Sequence, residues 1–144
     1  MEYKFYGWKN ANVFPLDSKY SKIKDPKVLY DMLSNIWCEY SCAPRLRKDW
    51  SKDNKTLGQC STTAFLVQDI FGGEVYGVPL DGGGVHCFNN VDGYIFDLTS
   101  EQFGNIVLDY KHIIKQNRDE HFSDEEKHLR YRYLWGKLNE LYLN

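Results

Sequence analysis

No uninterrupted apolar stretch in this 144-residue sequence approaches the ~20 residues that a transmembrane helix requires. The opening run Met1-Glu2-Tyr3-Lys4-Phe5-Tyr6-Gly7-Trp8 mixes charge into every short window, so the apolar segment of a secretory signal is missing as well. These absences predict a cytoplasmic protein with no membrane partner. An excess of one charge is also lacking. Eighteen Lys+Arg against 20 Asp+Glu leave a formal net charge of −2, and no global positive field would gather nucleic acid or acidic lipid. There are 4 prolines, no low-complexity tract and no internal repeat, which excludes linker-rich and solenoid designs. What is abundant is core-forming material: 42% hydrophobic residues, including 16% aromatic, against 26% charged. That suffices for one domain and argues against intrinsic disorder.

The four cysteines, Cys38, Cys42, Cys60 and Cys87, lack the paired C-x-x-C spacing of a structural zinc site. His86 and Cys87 are adjacent, and neighbouring strand residues point to opposite faces, so they are poorly placed to share one ion. Neither a metal nor a cofactor is expected. Without an export signal, free thiols are the default, and each is a packing residue, a ligand or a nucleophile.

Residues 1–24 show no sustained periodicity and read as an extended N-terminal arm packed on the domain formed by residues 25–144. Asp25 is an N-cap with Pro26 at the first helical position, and Val28, Leu29, Met32, Leu33, Ile36 and Trp37 recur at helical spacing. Residues 39–58 lose the pattern and form a long loop that carries Pro44 and the basic cluster Arg45, Arg47 and Lys48. Residues 60–71 are apolar around most of the helical wheel, which predicts a helix buried on several sides, and Gly72-Gly73 ends it. Strands are predicted at 74–80, 85–90 and 94–98, the last two forming a hairpin about Val91-Asp92-Gly93. Residues 104–122 are ambiguous, with a possible strand at 106–110. Ser123-x-x-Glu126 reads as a capping box opening a final helix with Leu129, Tyr133, Leu134, Leu138 and Leu141 on one face. This order predicts an α+β domain with helices beside a small antiparallel sheet.

One thiol stands apart. Cys60 lies where a loop enters the buried helix, so free backbone N–H groups and the positive end of the helix dipole favour its thiolate. A nucleophile also needs a base and a group to orient that base. A two-residue hairpin turn makes Asp97 a diagonal neighbour of His86, and a four-residue loop sets the two directly opposite; either places them on one face. Cys60 would then be the nucleophile, His86 the general base and acid, and Asp97 the orienting carboxylate. The plainer alternatives are a packed Cys60, a strand histidine with a backbone partner, and a capping Asp97. His112, His121 and His128 lie in charged surroundings and read as surface residues, and Cys87 alternates away from His86 toward the core.

The run Gly58-Gln59-Cys60-Ser61-Thr62-Thr63-Ala64, with Gln68-Asp69-Ile70-Phe71-Gly72-Gly73-Glu74, His86-x-x-Asn89 and Asp97-Leu98-Thr99-x-x-Gln102-Phe103, resembles the YunG-type family of small, functionally uncharacterised bacterial proteins. Trp37, Ser41 and Trp50 also stand where that family carries a tryptophan, a Thr-Ser pair and a second tryptophan. Ser41-Cys42 departs from the usual Thr-Ser, and His86-Cys87-Phe88-Asn89 from the commoner His-Tyr-Trp-Asn. The resemblance covers roughly residues 28–103. The family pattern is in turn similar to papain-like and transglutaminase-like cysteine enzymes. This implies a single papain-like α+β domain with the nucleophile on a buried helix, and a Cys60, His86, Asp97 triad.

The resulting expectation is a cysteine-dependent hydrolase or acyltransferase acting on a peptide or amide-bearing substrate. The alternative is a catalytically inactive papain-like binding module. For the oxyanion, the backbone N–H of Cys60 is one donor, and Asn54 is the first side-chain candidate, because papain-like proteases place a glutamine six residues before the nucleophile. Gln59 is the second candidate. The glycines of Asp81-Gly82-Gly83-Gly84 lead into a strand without a Lys-Ser/Thr pair, which does not suit a phosphate loop but does suit a flap or a loose connection beside His86. The Arg45 cluster is either a solvated loop or a carboxylate contact. Oligomeric state and substrate identity have no sequence signature here.

Overall fold

Asp25 and Pro26 start the first helix as the sequence predicts. In the computed structural model, which describes residues 2–144, the Asp25 carboxylate accepts hydrogen bonds from the backbone N–H groups of Lys27 (2.8 Å) and Val28 (3.0 Å), and α1 spans Pro26–Ser34. The helix stops at Ser34 and does not continue to Trp37. Ile36 and Trp37 are nevertheless buried beyond its end, and the Trp37 indole donates to Thr63 Oγ1 at 3.0 Å. The burial that produced the periodic signal is real there; the helical backbone is not.

α2 spans Cys60–Phe71, the predicted bounds, and Gly72 closes it at φ 85° with its N–H on the Gln68 carbonyl. Four antiparallel strands follow in the order β3-β2-β1-β4: β1 (Glu74–Pro79), β2 (Val85–Val91), β3 (Tyr94–Phe96) and β4 (Ile114–Lys115). β2 and β3 are joined by a two-residue turn, in which Asp92 (φ 53°) and Gly93 (φ 87°) both take the left-handed conformation and Val91 faces Tyr94. α2 packs on β2, tied by a hydrogen bond from Asn89 Nδ2 to the Ala64 carbonyl (2.9 Å). Alternation along β2 sends Cys87 and Val91 into the main core with α2, and Phe88 to the other face with Val78 and Tyr110.

The N-terminal arm contributes Phe5, Val13 and Ile23 to the same core as Leu29, Leu33 and Phe65. Residue 1 lies outside the described residues. Tyr6 forms an antiparallel bridge with Asp97 beyond the end of β3, and Gly7 allows it: at φ 80°, a Cβ there would stand 2.2 Å from the Ile95 carbonyl oxygen.

Three expectations for the C-terminal part require correction. The strand predicted at 106–110 is irregular backbone; Ile106 and Val107 are exposed while Tyr110 turns inward. The Tyr110 hydroxyl is drawn to the Asp97 carboxylate, and no strand of the sheet pairs with this segment. The predicted capping box is shifted by an unforeseen short helix, α3 (Arg118–Phe122). Ser123 ends α3, with its hydroxyl on the Glu120 carbonyl (2.6 Å), and Asp124 caps α4 (Glu125–Leu138) by accepting from the Lys127 N–H (3.2 Å). Of the predicted face, Leu134 and Leu138 are buried as expected, but Leu129 and Leu141, the latter beyond the end of α4, are exposed, and Arg130 and Tyr131 are buried instead. The architecture is mixed α+β, a small antiparallel sheet with helices. Among the described residues no helix is long and apolar enough to cross a membrane.

Candidate active site

The loop before α2 is pinned where it meets the helix. Gly58 has φ 71°, and a Cβ there would lie 2.5 Å from Cys42 Sγ, so only glycine lets the chain pass. Its carbonyl accepts the Ala43 N–H (2.9 Å), and Trp50 braces the loop with its indole on the Lys55 carbonyl (2.9 Å). The Thr63 N–H donates to the Gln59 carbonyl (3.2 Å). The N–H groups of Cys60, Ser61 and Thr62 therefore belong to the first turn, whose donors have no partner within the helix. Cys60, half-buried, opens that turn.

His86 and Asp97 meet as the two-residue turn requires. Asn89 faces Phe96, and the same register carried back to His86 makes Asp97 its diagonal neighbour on one face. His86 Nε2 lies 2.7 Å from Asp97 Oδ2. Three further donors hold the carboxylate: the Tyr110 hydroxyl (2.7 Å), the Thr99 backbone N–H (3.1 Å) and the Thr99 hydroxyl (3.2 Å). Tyr6 from the arm stacks on Tyr110 at 4.1 Å, and Phe103 meets the imidazole edge-on at 4.7 Å. The ring orientation is thus fixed on both sides.

With Nε2 committed to Asp97, Nδ1 is the nitrogen left for Cys60. The nearby Cys87 thiol and, after it, the His86 imidazole shift the Cys60 thiol well below its ordinary value, against the burial that opposes ionisation. Burial pulls the His86 imidazole down, but the charge and hydrogen bond of Asp97, followed by those of Cys60, raise it to about 10. The Cys87 thiol moves the other way, pushed well above its usual range by its contact with Cys60 and by burial. The opposite shifts favour a Cys60 thiolate beside a His86 imidazolium, with Cys87 as the thiol that keeps its proton. Cys87 is a core residue as expected, but it is not remote from the nucleophile, because the face of β2 that it occupies is the one α2 covers.

Cys60, His86 and Cys87 border a cleft of about 490 Å³, whose walls include Arg45, Leu80, Phe103, His121, Lys127 and Arg130. Neither side chain proposed for the oxyanion reaches it. Asn54 sits in the short 3₁₀ turn Lys52–Asn54, away from the cleft lining. Gln59 is fully buried and spends its amide on the Cys38 carbonyl (3.0 Å). The first-turn N–H groups of α2 are the donors beside the thiol. Leu80 and Gly84, at the two ends of the glycine-rich turn, line the cleft, and the turn is closed by hydrogen bonds between them and from Gly83 to Leu80.

His121, expected at the surface, lines the cleft and packs on Phe65 at 4.8 Å. Burial, then the charges of Lys127 and Arg130, lower it to about 4, so it is neutral at pH 7, and its Nε2 is buried without a protein partner among the described residues. Sequence reasoning missed Tyr110, Thr99, His121, Lys127 and Arg130. Only Thr99 had a local signal, its position two residues after an aspartate that its N–H can reach. His112 is exposed beside Asp109, and His128 packs on Phe122 at 5.3 Å. No group of three or more His, Cys, Asp or Glu that could hold a metal ion occurs among the described residues.

The model of the YunG protein family matches residues 25–142. Uncharacterized protein YunG of Bacillus subtilis is 33% identical over 103 residues, covering 69% of this chain and 83% of that protein. No solved structure matches the chain.

Proposed function

The chain belongs to the YunG family, and we propose that it is a cysteine-dependent hydrolase or acyltransferase acting on amide or peptide bonds. The observation that carries this reading is the buried His86–Asp97 pair at 2.7 Å beside a thiol at the start of a helix. A cysteine at a helix start, served by a histidine and an aspartate from neighbouring strands, is the arrangement that supports a papain-like relationship.

The Cys60 thiolate attacks the carbonyl carbon, forming the S–C bond, while the carbonyl oxygen takes up negative charge facing the first-turn N–H groups of α2. His86 gives its Nδ1 proton to the amine as the C–N bond breaks, leaving an acyl thioester. Water then loses a proton to His86 as its oxygen bonds to the carbonyl carbon; the S–C bond breaks and the acid leaves. An amine in place of water gives acyl transfer. Asp97 stays ionised, holding the tautomer and stabilising the imidazolium.

Alkylation by iodoacetamide at pH 6, with each thiol followed by peptide mass spectrometry, tests the reading. Cys60 should react at least ~10-fold faster than Cys38 or Cys42, since an ordinary thiol is almost wholly protonated there. Equal rates would overturn the reading in favour of a binding module.

A further inference from the structure

The cleft beside Cys60 is lined by Arg45, Lys127 and Arg130, and by no Asp or Glu among the described residues. A chain with a net charge of −2 does not produce this by composition; it is a local arrangement. Arg45 comes from the 3₁₀ turn Pro44–Asp49, and Lys127 and Arg130 from one face of α4, three residues apart. Arg130 is 4% exposed, its Nε on Glu126 (2.6 Å) and its Nη1 only 3.5 Å from the Ser41 carbonyl. Its Nη2 has no protein partner among the described residues, and neither Arg45 nor Lys127 forms an ion pair there. Glu126 offsets part of this charge, but it is also within 3.7 Å of Arg47 and stands outside the cleft lining.

Nη2 is open to solvent rather than sealed in the core, on a residue that lines the cleft, and a planar guanidinium suits a carboxylate. The partnerless Nε2 of neutral His121 adds one more polar atom to the same wall.

We propose that the cleft selects an acyl donor bearing a carboxylate close to the reacting carbonyl, held by Arg130 and Lys127 with Arg45 at the entrance. The inference rests on Cys60 being the nucleophile of the reading above. It adds the class of substrate.

Iodoacetate and iodoacetamide form a matched pair for the test, nearly equal in size and differing in charge. Their rates at Cys60 would be measured on the full chain at pH 6.5 and low salt, with a small free thiol in the same buffer as reference. The ratio of iodoacetate to iodoacetamide rate should be at least about tenfold higher at Cys60 than at the free thiol. The His86 imidazolium also attracts anions, so the decisive comparison is between variants. Lys127→Gln and Arg45→Gln should each lower the Cys60 ratio by about threefold to tenfold, whereas Lys137→Gln, outside the cleft, should leave it unchanged. A ratio that all three variants leave unchanged overturns the carboxylate inference, while fast iodoacetamide labelling of Cys60 in the same samples preserves the proposed nucleophile. If neither reagent singles out Cys60, both readings fall.

Discussion

Asp97 Oδ2 accepts a hydrogen bond from His86 Nε2 at 2.7 Å, and both side chains are 1% exposed. A buried imidazolium persists only with such a partner, so a Cys60 thiolate would depend on a carboxylate it does not touch. Asp97→Asn keeps the shape and removes the charge. The alkylation rate of Cys60 at pH 6 should fall by at least about tenfold and recover toward the wild-type value as the pH is raised to 9. An undiminished rate at pH 6 would mean that His86 is not held charged by Asp97.

The pH profile of the unmodified protein follows from the two opposite shifts. The Cys60 thiol is shifted down and His86 is raised to about 10, and the two shifts together favour an ion pair at neutral pH. An ordinary thiol loses reactivity about tenfold per pH unit below ~8. Cys60 should instead hold a plateau from pH 8 down to 6, measured as the second-order rate with iodoacetamide. A tenfold decline per unit over that range would sink the ion-pair assignment.

Cys87 supplies the largest single contribution to the lowered Cys60 value. Cys87→Ala removes that thiol and should move the midpoint of the Cys60 pH–rate curve up by about one unit or more, whereas Cys87→Ser keeps a hydroxyl in place and should restore most of it. Equal midpoints in the alanine variant and the wild type would show that His86 alone lowers the thiol.

Tyr110 is one of four donors to Asp97, and its stack on Tyr6 does not need the hydroxyl. Tyr110→Phe should destabilise the fold by about 1.5–3 kcal/mol in urea unfolding, the usual range for a hydrogen bond to a charged group. A change near zero would place that bond outside the stability of the fold.

His121 is lowered to about 4 by burial and by the charges of Lys127 and Arg130. An unfolded histidine titrates near ~6.5, so between those values the unfolded chain binds the extra proton; the contribution is present above ~6.5 and lost as the pH falls through about 4. The thermal midpoint should fall between pH 6.5 and 4, and less steeply in His121→Asn. Parallel slopes in the two proteins would rule out His121 as a source of that dependence.

The legible parts of this molecule are those written in short-range chemistry. Asp25-Pro26 capped α1 in the expected place, and the apolar wheel of 60–71 with Gly72 bounded α2. Asp92-Gly93 set a two-residue turn, and that turn alone dictates the His86–Asp97 diagonal. Where the rule was local but the context was not, the reading slipped. Ser123 could cap a helix, but α3 absorbed it; residues 106–110 could pair as a strand, but Tyr110 turns inward to Asp97 and the segment is irregular.

What the amino-acid sequence determined by itself, then, is a thiol at the head of a buried helix and a histidine and carboxylate on one face of a hairpin. Each rests on periodicity, caps and turn geometry within about a dozen residues. The tertiary structure decided that Tyr110 secures Asp97, that Cys87 stands beside Cys60, and that His121, Lys127 and Arg130 rather than Asn54 and Gln59 border the cleft. Those contacts join segments far apart in the chain, and no local preference encodes them. They exist because α2, the hairpin and α4 bury their apolar faces together, and the polar groups at the ends of those elements are carried to one place by that packing.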